Sequence, residues 1–531
     1  MNSHLLTGMI LLPFLGAVFQ AVASSGSSAK WFAFGASVAS ALLGGVALSQ
    51  FTPGVAGPQL VDQLPWIGSY AINYELAVDG SNVLLLVLIS LVFPVLLASE
   101  WERAAGARGL YSLLLILQGS LLGAACAQDL FLLFFFWALS SLPVFFLVGV
   151  WGREKKEQAA YRFLAASTLG NSLLFGAFVL IYYSQDPHTF LIRELVAAGG
   201  VPSRLVSIAG VEISLATLAF VLVCLGLALR APIWPLHGWF SKLSDEAPDS
   251  VFVAVAAVVV PVAVSLFGRL SNLLFPSVLD ACAPWVVGAG LINLILGAIA
   301  ILSQKRLSGA VAHLTLAHLG LALLGLGSRN PSAMVGVIYH QLGIGLALAV
   351  LGLLLGAVAR RVAIQEISGK SLGLVGRAPA AAAVMGLSIC SFVGFPGLSG
   401  FVGQSLIVMG GYDAHPGALV VVGLSSLLVA YSLFGIFRQL FLAQTPESAL
   451  AELPAEIELS KGERAFLVPL VAMMVLLGFY PKPFLDWIRP TATALVARGA
   501  APTAQSAPAI QAPSTESSPI PSESGAPAQE H

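Results

Sequence analysis

The sequence predicts an all-α polytopic membrane protein of about fourteen transmembrane helices. Hydrophobic residues make up 57% of the 531 residues and charged residues only 10%, a balance that the surface of a water-soluble protein of this size would not tolerate. The apolar residues are grouped into stretches of about 17 to 25 residues, the length needed to cross roughly 30 Å of hydrocarbon. Proline and glycine interrupt two of these stretches, which predicts two broken helices inside the membrane.

Fourteen apolar stretches can be marked off in order along the chain. The first lacks the basic segment and the small-residue cleavage site of a signal peptide, so we expect it to remain in the membrane. The stretches between the spans include a Gly- and Pro-containing loop at 49–81 and a loop at 185–211 with a short interfacial helix. The predicted spans are 5–23, 32–50, 82–99, 109–127, 130–150, 160–184, 213–230, 251–273, 285–303, 308–327, 333–358, 378–410, 417–441 and 465–485.

The seventh span is interrupted within GLALRAPIWPLHGWFSKLSDEAPDS, residues 226–250. Pro232 and Pro235 each lack a backbone donor and clash with the preceding turn, so the helix should end near Arg230 with carbonyl groups left unpaired. The twelfth span is interrupted within VGFPGLSGFVGQ, residues 393–404, around Pro396. An interrupted helix survives in hydrocarbon only where it is buried in protein or lines a wet cavity, and paired interruptions indicate a transport site and an internal repeat.

The charged residues predict the topology and exclude one class of partner. Eighteen of the 25 Lys and Arg residues lie in loops that follow odd-numbered spans, and such residues accumulate on the cytoplasmic side. Both termini should therefore face outward, as an even number of spans requires. The formal net charge of −1 gives no reason to expect nucleic acid as a partner.

The cysteines predict neither a metal site nor a redox centre. Four cysteines are dispersed along the chain without metal-ligand spacing, and they lie in or at the ends of apolar spans, which favours free buried thiols: Cys126, Cys224, Cys282 and Cys390. The sequence also contains no nucleotide-binding loop or flavin motif. We therefore expect no cofactor in this chain.

Several motifs together resemble the antiporter-like subunits of respiratory complex I and the Mrp-type antiporters. RAPIWPLHGWF at 230–240, with EAP at 246–248, resembles the broken seventh helix of that family, and DLFLLFFFWALSSLPVFFLVGVWG at 129–152 resembles its fifth helix. The likeness covers the chain outside its tail and is greatest to the M-type subunit, also called chain 4. Four further segments carry it: ELAVDG at 75–80, AHLTLAHLG at 312–320, FPGLSGFVGQ at 395–404 and GFYPKPFLD at 478–486.

The resemblance implies a membrane-arm subunit of an NADH:quinone oxidoreductase, in a bacterial-type inner membrane, that translocates protons alongside other membrane subunits. NADH oxidation and electron transfer would then belong to partner subunits, and this chain would be non-catalytic. The implied organisation has two inverted five-helix repeats, which contain broken helices 7 and 12. Its parts are N-terminal helices at 1–108, a first repeat at 109–273, a second repeat at 285–441, a loop and last helix at 442–488, and a disordered Ala-, Pro- and Ser-rich tail at 489–531.

At the positions that carry charge in the family, this sequence departs from the pattern. The fifth helix of the family carries a glutamate paired with a lysine of the broken seventh helix, where this chain has Ala138 and Arg230. The central lysine of the eighth helix is replaced by Pro261, and the charged residue of the second broken helix by Gln404. Proton transfer needs groups that titrate, and neither an alanine, a proline nor a glutamine does.

A few ionisable side chains remain as candidates for a proton path. His313, His318 and His340 lie in predicted spans, and His237 lies in the first break. Each has a simpler interpretation, because a histidine in a span can serve packing and His237 can order a loop. Arg230 is either a buried functional charge or a cation that reaches the cytoplasmic interface from a helix end.

Two functional classes follow from these observations. The chain is either a proton-translocating subunit with a rewired set of residues, or a non-pumping structural paralogue that fills the same place. The structural paralogue could belong to a complex I-like assembly, a membrane hydrogenase or an ion-coupled uptake system. Buried charge is expensive in a bilayer, so its loss is expected once conduction is not selected. The missing charges favour an impaired or structural subunit.

Overall fold

The computed structural model describes residues 4–22, 28–101, 108–208, 210–362, 366, 372–442 and 457–500, and most of these are helical. We number the helices in chain order: α1 Leu5–Val22, α2 Ser28–Ser49, α3 Val83–Ser99, α4 Arg108–Cys126, α5 Leu130–Leu139, α6 Ser141–Trp151, α7 Lys156–Ser184, α8 Ile192–Ala197, α9 Leu215–Ala228, α10 Gly238–Glu246, α11 Asp249–Ala254, α12 Val260–Leu274, α13 Pro276–Ser303, α14 Leu307–Gly327, α15 Pro331–Val362, α16 Pro379–Val393, α17 Ser399–Ala414, α18 Ala418–Phe437, α19 Lys461–Phe479 and α20 Lys482–Ala500. Single π-helical turns at Val255–Val259 and Arg438–Leu442 adjoin α12 and α18.

The predicted spans coincide with helices of the structure. Within the described residues, ten helical stretches are long and apolar enough to cross a membrane on their own. Four shorter apolar helices coincide with the remaining predicted spans: Leu5–Gln20, Val83–Ser99, Leu215–Ala228 and Pro379–Val393. The polytopic helical fold is confirmed, and the total of fourteen crossings remains a prediction.

The long loop predicted at 49–81 contains a β-hairpin instead. Strands β1, Gln59–Ile67, and β2, Ile72–Val78, pair antiparallel. In the sequence of β2, apolar residues recur at every second position, and in the structure its last four residues, 75–78, are all buried. The short helix α8 in the loop at 185–211 confirms the predicted one. A second hairpin, β3 Leu205–Ile208 and β4 Val211–Ser214, begins in this loop and extends past its predicted end.

The last helix and the tail differ from the prediction. The helix placed at 465–485 ends at Phe479, and α20 begins at Lys482, so the predicted disorder from Arg489 is wrong as far as residue 500. Apolar side chains recur on one buried face of α20 at helical spacing, which explains why it folds against the bundle. They are Phe484, Leu485, Ile488, Ala492, Leu495 and Val496. The rest of the predicted tail, 501–531, lies outside the described residues.

Several loops that contain Lys or Arg are joined by ion pairs at one end of the bundle. Asp249 binds both Arg153, at 2.8 Å, and Arg360, at 2.5 Å, while Arg306 lies 3.6 Å from Asp245. These residues come from loops after the predicted fifth, seventh and ninth spans and from the end of α15. We call this end of the bundle the cation-rich side.

Helices α15 and α17 pack backbone to backbone. A Cβ atom at Gly403 would lie 2.9 Å from the His340 backbone nitrogen, and one at Gly336 would lie 2.7 Å from the Ile407 nitrogen. Small residues permit such close approach between membrane helices. This packing fixes His340 beside the second broken helix.

Candidate functional site

The first break separates α9, which ends at Ala228, from α10, which begins at Gly238, and Arg230 lies within it. Arg230 is 1% exposed, so the alternative in which it reaches the interface is wrong. One guanidinium nitrogen donates to the Trp137 carbonyl, at 2.8 Å, and to the Ser141 hydroxyl, at 3.0 Å. The other donates to the Ser140 hydroxyl, at 3.0 Å. The guanidinium carbon lies 4.1 Å from the centre of the Trp137 ring, a cation–π contact.

Arg230 is bonded by neutral groups, whereas the family resemblance predicted a carboxylate partner for this cation. Ala138 is only partly buried, and no carboxylate pairs with Arg230 within the part of the chain that the structure describes. The charge is instead held by one carbonyl, two hydroxyls and the face of an aromatic ring. A guanidinium stays protonated in proteins, so this group is a fixed positive charge and not a proton carrier.

Because proline has no backbone N–H, the first break contains few backbone donors. One of the remaining donors bonds to a side chain of another helix. Pro232 is buried and Pro235 is exposed. The Trp234 backbone N–H donates to Oδ1 of Asn293, on α13, at 2.9 Å. Neither Asn293 nor the Ser140–Ser141 pair is among the residues predicted from sequence, although polar residues inside apolar helices are a recognisable signal.

His237 and His313 do not form a hydrogen-bonded pair. His313 Nδ1 lies 2.8 Å from the Gly309 carbonyl oxygen of its own helix, so the backbone occupies that nitrogen. His237 immediately precedes α10, and its Nδ1 is buried without a hydrogen-bond partner. The backbone of α14 therefore orients His313, and no hydrogen bond among the described residues links it to His237.

His318 and His340 do meet, and they form the second cluster of the site. Their ring centres are 5.4 Å apart, and the side chains are 8% and 1% exposed. The His318 ring also lies 5.4 Å from the ring of Phe392. His340 faces the backbone carbonyl of His318, but none of the four ring nitrogens makes a well-formed hydrogen bond with the protein.

His313 and His318 share α14 but not one face of it. Five helical residues correspond to about 7.5 Å along the axis and a net angle of about 140° around it. His318 turns toward α15, and His313 lies on the less buried side of α14. Within the described residues, no side-chain hydrogen bond joins the three predicted histidines of the spans.

In the second break, uncharged groups form the hydrogen bonds between the two half-helices. Helix α16 ends at Val393, and the next residue, Gly394, caps it with a φ of 77°, the left-handed conformation that glycine favours; α17 begins at Ser399. Gln404 donates from Nε2 to the Phe392 carbonyl at 3.0 Å, satisfying an acceptor at the end of α16. The hydroxyls of Ser391 and Ser399 are 3.0 Å apart. Pro396 lies exposed between the two helices.

The eighth predicted span is irregular, as expected from Pro261. Pro261 is buried and is the second residue of α12, and the π-helical turn at Val255–Val259 directly precedes this helix. Because proline lacks an N–H and clashes with the turn before it, a wider turn accommodates the ring. The position at which the resemblance predicts a lysine therefore has an irregular backbone and no titratable group.

A helical membrane bundle with two interrupted helices, and with buried ionisable side chains beside each, is the architecture of an ion-translocating membrane protein. The chain belongs to the family described as NADH:quinone oxidoreductase/Mrp antiporter, TM, whose model matches residues 127–429.

Individual relatives agree with this family over nearly the whole chain. The sequence is 29% identical to NADH-quinone oxidoreductase subunit M of Rhodobacter capsulatus, over 93% of this chain and 96% of that protein. The fold matches a chain of respiratory complex I from Thermus thermophilus with a TM-score of 0.82 at 24% identity, over 93% of this chain and 99% of that one. It also matches a chain of the membrane-bound sulfane sulfur reductase, an archaeal respiratory membrane complex, with a TM-score of 0.78 at 18% identity, over 94% and 99% of the two chains.

Proposed function

We propose that this chain is a membrane-arm subunit of an NADH:quinone oxidoreductase-type complex whose own proton path is interrupted. The similar sequences are named subunits of NADH-quinone oxidoreductase, in which the family role is proton translocation coupled to quinone reduction. One observation supports the interruption above all others. Arg230 is buried against neutral acceptors, where a relay needs an acid and a base that exchange protons.

The remaining positions support the same proposal. Ala138, Pro261 and Gln404 cannot take up or release a proton, and Gln404 is already engaged with a backbone carbonyl. A chain of carriers across the membrane requires successive titratable groups joined by hydrogen bonds or water. The subunit would then contribute its helical surfaces to the assembly.

A rewired pump is the second candidate, and the histidine cluster favours it. His318 and His340 lie close together within the bundle, and their ring nitrogens make no well-formed hydrogen bond with the described residues. Histidine is one of the few side chains that can both take up and release a proton in proteins.

The organisation inferred from the sequence is part of the proposal. Two inverted repeats would span 109–273 and 285–441, and each contains one broken helix, α9–α10 and α16–α17. The chain would lie in a bacterial-type inner membrane with both termini outward and with the cation-rich side toward the cytoplasm. Its partners would be the other membrane subunits and the lipid around them.

The proton-to-electron ratio of the assembled complex in vesicles distinguishes the two candidates. If the path is interrupted, His318→Ala and His340→Ala should leave both the ratio and the rate of quinone reduction unchanged. Exposed His188, outside the bundle core, provides the matched control His188→Ala. A lower ratio in the two cluster variants, with electron transfer intact and the control normal, would reject the interruption and establish the rewired pump.

The same preparation tests the assembly itself. Electron-transfer subunits that oxidise NADH and reduce quinone should co-purify with this chain. Co-purification with hydrogenase subunits or with an uptake system instead would replace the complex by the alternative non-pumping assembly. Purification as a stable monomer that catalyses ion antiport unaided would contradict both forms of the proposal.

A further inference from the structure

A cleft of about 590 Å³ opens between the C-terminal ends of α13 and α18. This volume is within the roughly 300–1,000 Å³ of typical small-molecule sites. Lys305 and Arg306 follow the end of α13, and the ion pair from Arg306 to Asp245 places this end on the cation-rich side. The cleft involves neither of the broken helices and none of the candidate proton carriers.

The lining of the cleft changes from apolar to polar in the same direction along both helices. On α13, Ile301 and Leu302 precede Gln304 at the end of the helix. On α18, apolar and aromatic residues precede the polar pair Arg438 and Gln439 in the π-helical turn. Since both helices run toward the cation-rich side, the polar part of the cleft faces water and the apolar part faces the hydrocarbon. A phospholipid has its head and its chains in this order.

The polar end of the cleft carries positive charge. Arg438 is exposed, and it forms no ion pair or hydrogen bond with a side chain in the part of the chain that the structure describes. Exposed Lys305 directly follows the lining residue Gln304. Arginine binds phosphate well because its planar guanidinium offers paired donors, and basic clefts between membrane helices on the cytoplasmic side suit anionic head groups.

The apolar end is open toward the surrounding membrane. Leu302 is 46% exposed, Phe434 49% and Tyr431 74%, so these side chains face the outside of the bundle. A Cβ atom at Gly435 would meet nothing within 4 Å, which shows that this glycine leaves the space unfilled. Aromatic residues such as Tyr431 are common where helices enter the head-group region.

We propose that this cleft binds one anionic phospholipid. The phosphate binds Arg438, and the upper part of an acyl chain packs against Ile301, Leu302 and Ile436. The proposal is independent of whether the subunit translocates protons, because it uses a different surface of the molecule.

Photoactivatable lipids test the site in the assembled complex. Vesicles of phosphatidylcholine would carry a trace of photoactivatable phosphatidylglycerol or, in a parallel sample, of photoactivatable phosphatidylcholine. The labelled peptides would then be mapped by mass spectrometry. We expect the segment around residues 431–439 to be labelled about fivefold more by the anionic lipid, the ratio that corresponds to one interfacial cation. Arg438→Gln should reduce that preference to near unity, and Arg438→Lys should retain most of it.

A pair of glycines on α18 provides the steric test. Gly435→Leu should fill the cleft and abolish labelling by either lipid at this segment. Gly423→Leu, on the same helix and also without neighbours within 4 Å, should leave labelling unchanged because Gly423 does not line the cleft. Equal labelling by the two lipids in the wild type, or full labelling of Gly435→Leu, would overturn the proposal. Cross-links from this segment to a neighbouring subunit in place of lipid would do the same, because the cleft would then be a protein interface.

Discussion

At the scale of single residues, the arginine of the first break illustrates how a membrane protein stabilises a buried charge without a counter-ion. Burying a cation costs several kcal/mol unless it is hydrogen-bonded or paired. Three neutral acceptors and the Trp137 ring offset part of this cost around Arg230, and only its Nε lacks a partner. These acceptors depend on the Ser140–Ser141 pair at the junction of α5 and α6.

A carboxylate placed at Ser141 should couple strongly to this arginine. The Ser141 hydroxyl already lies 3.0 Å from the guanidinium, so Ser141→Asp should be tolerated and should leave the melting temperature of the purified complex unchanged or raised. Adding Arg230→Met should then destabilise the protein by about 3–5 kcal/mol, because the new carboxylate would be buried alone. A double-mutant cycle built on melting temperatures measures the coupling.

Ser167 provides the control for that cycle. It is 1% exposed and on α7, and no cation bonds to it among the residues that the structure describes, so Ser167→Asp should destabilise the protein with or without Arg230. If Ser141→Asp behaves like Ser167→Asp, the contact between Ser141 and Arg230 does not exist in the folded protein.

The residues of the site were only partly predictable from sequence. The prolines and glycines located both breaks because their effect on backbone geometry is local. The partners of Arg230 lie about 90 positions earlier in the chain, and nothing local links them to it. The approach of His318 to His340 likewise depends on how α14 packs on α15, which no spacing within one helix determines.

At the scale of helices and strands, hydrophobic length predicted the spans well because any crossing helix must cover the same hydrocarbon thickness. The elements that hydrophobic length did not predict are not long apolar stretches. Strand β2 has a period of two and α20 a period of 3.6, but both are too short or too polar to register as spans. Helix α20 also continues past Pro490, and its apolar face is buried.

The close packing of α15 on α17 predicts a marked sensitivity at Gly403. Even Gly403→Ala places an atom 2.9 Å from the backbone of His340, so one of the two helices must shift. We expect a loss of about 1–3 kcal/mol for alanine, the usual range for overpacking, and a greater loss for leucine. Thermal unfolding of the purified complex measures this.

Gly386→Ala is the matched control for Gly403→Ala. Gly386 lies within α16, and a Cβ atom there would meet nothing within 4 Å. Alanine also favours helix over glycine, so this variant should be neutral or slightly stabilising. Equal effects at the two positions would show that the helices are farther apart than the structure places them.

At the scale of the whole molecule, the two ends of the bundle are built differently. The cation-rich side is joined by ion pairs, with Asp249 holding Arg153 and Arg360. The opposite side has fewer ion pairs among the described residues, Arg193 with Glu75 and Arg329 with Asp280, and it is also covered by a hairpin and a helix. There α20 packs against the segment around β1 and β2, with the Gly80 N–H donating to the Thr491 hydroxyl at 3.1 Å and the Phe51 ring beside that of Trp487.

This asymmetry predicts which side faces the cytoplasm. Exposed Lys305 lies next to Arg306 on the cation-rich side, and exposed Glu212 lies in the β3–β4 hairpin at the opposite end of the bundle. Because Lys and Arg accumulate in cytoplasmic loops, a membrane-impermeant maleimide should label Lys305→Cys only in inverted vesicles and Glu212→Cys only in right-side-out vesicles. The parent protein controls for its native cysteines, of which Cys126 is buried and the other three are partly buried. Labelling of the two variants with the opposite vesicle preference would reverse the orientation of the chain, and it would place the phosphate-binding end of the α13–α18 cleft on the outer leaflet.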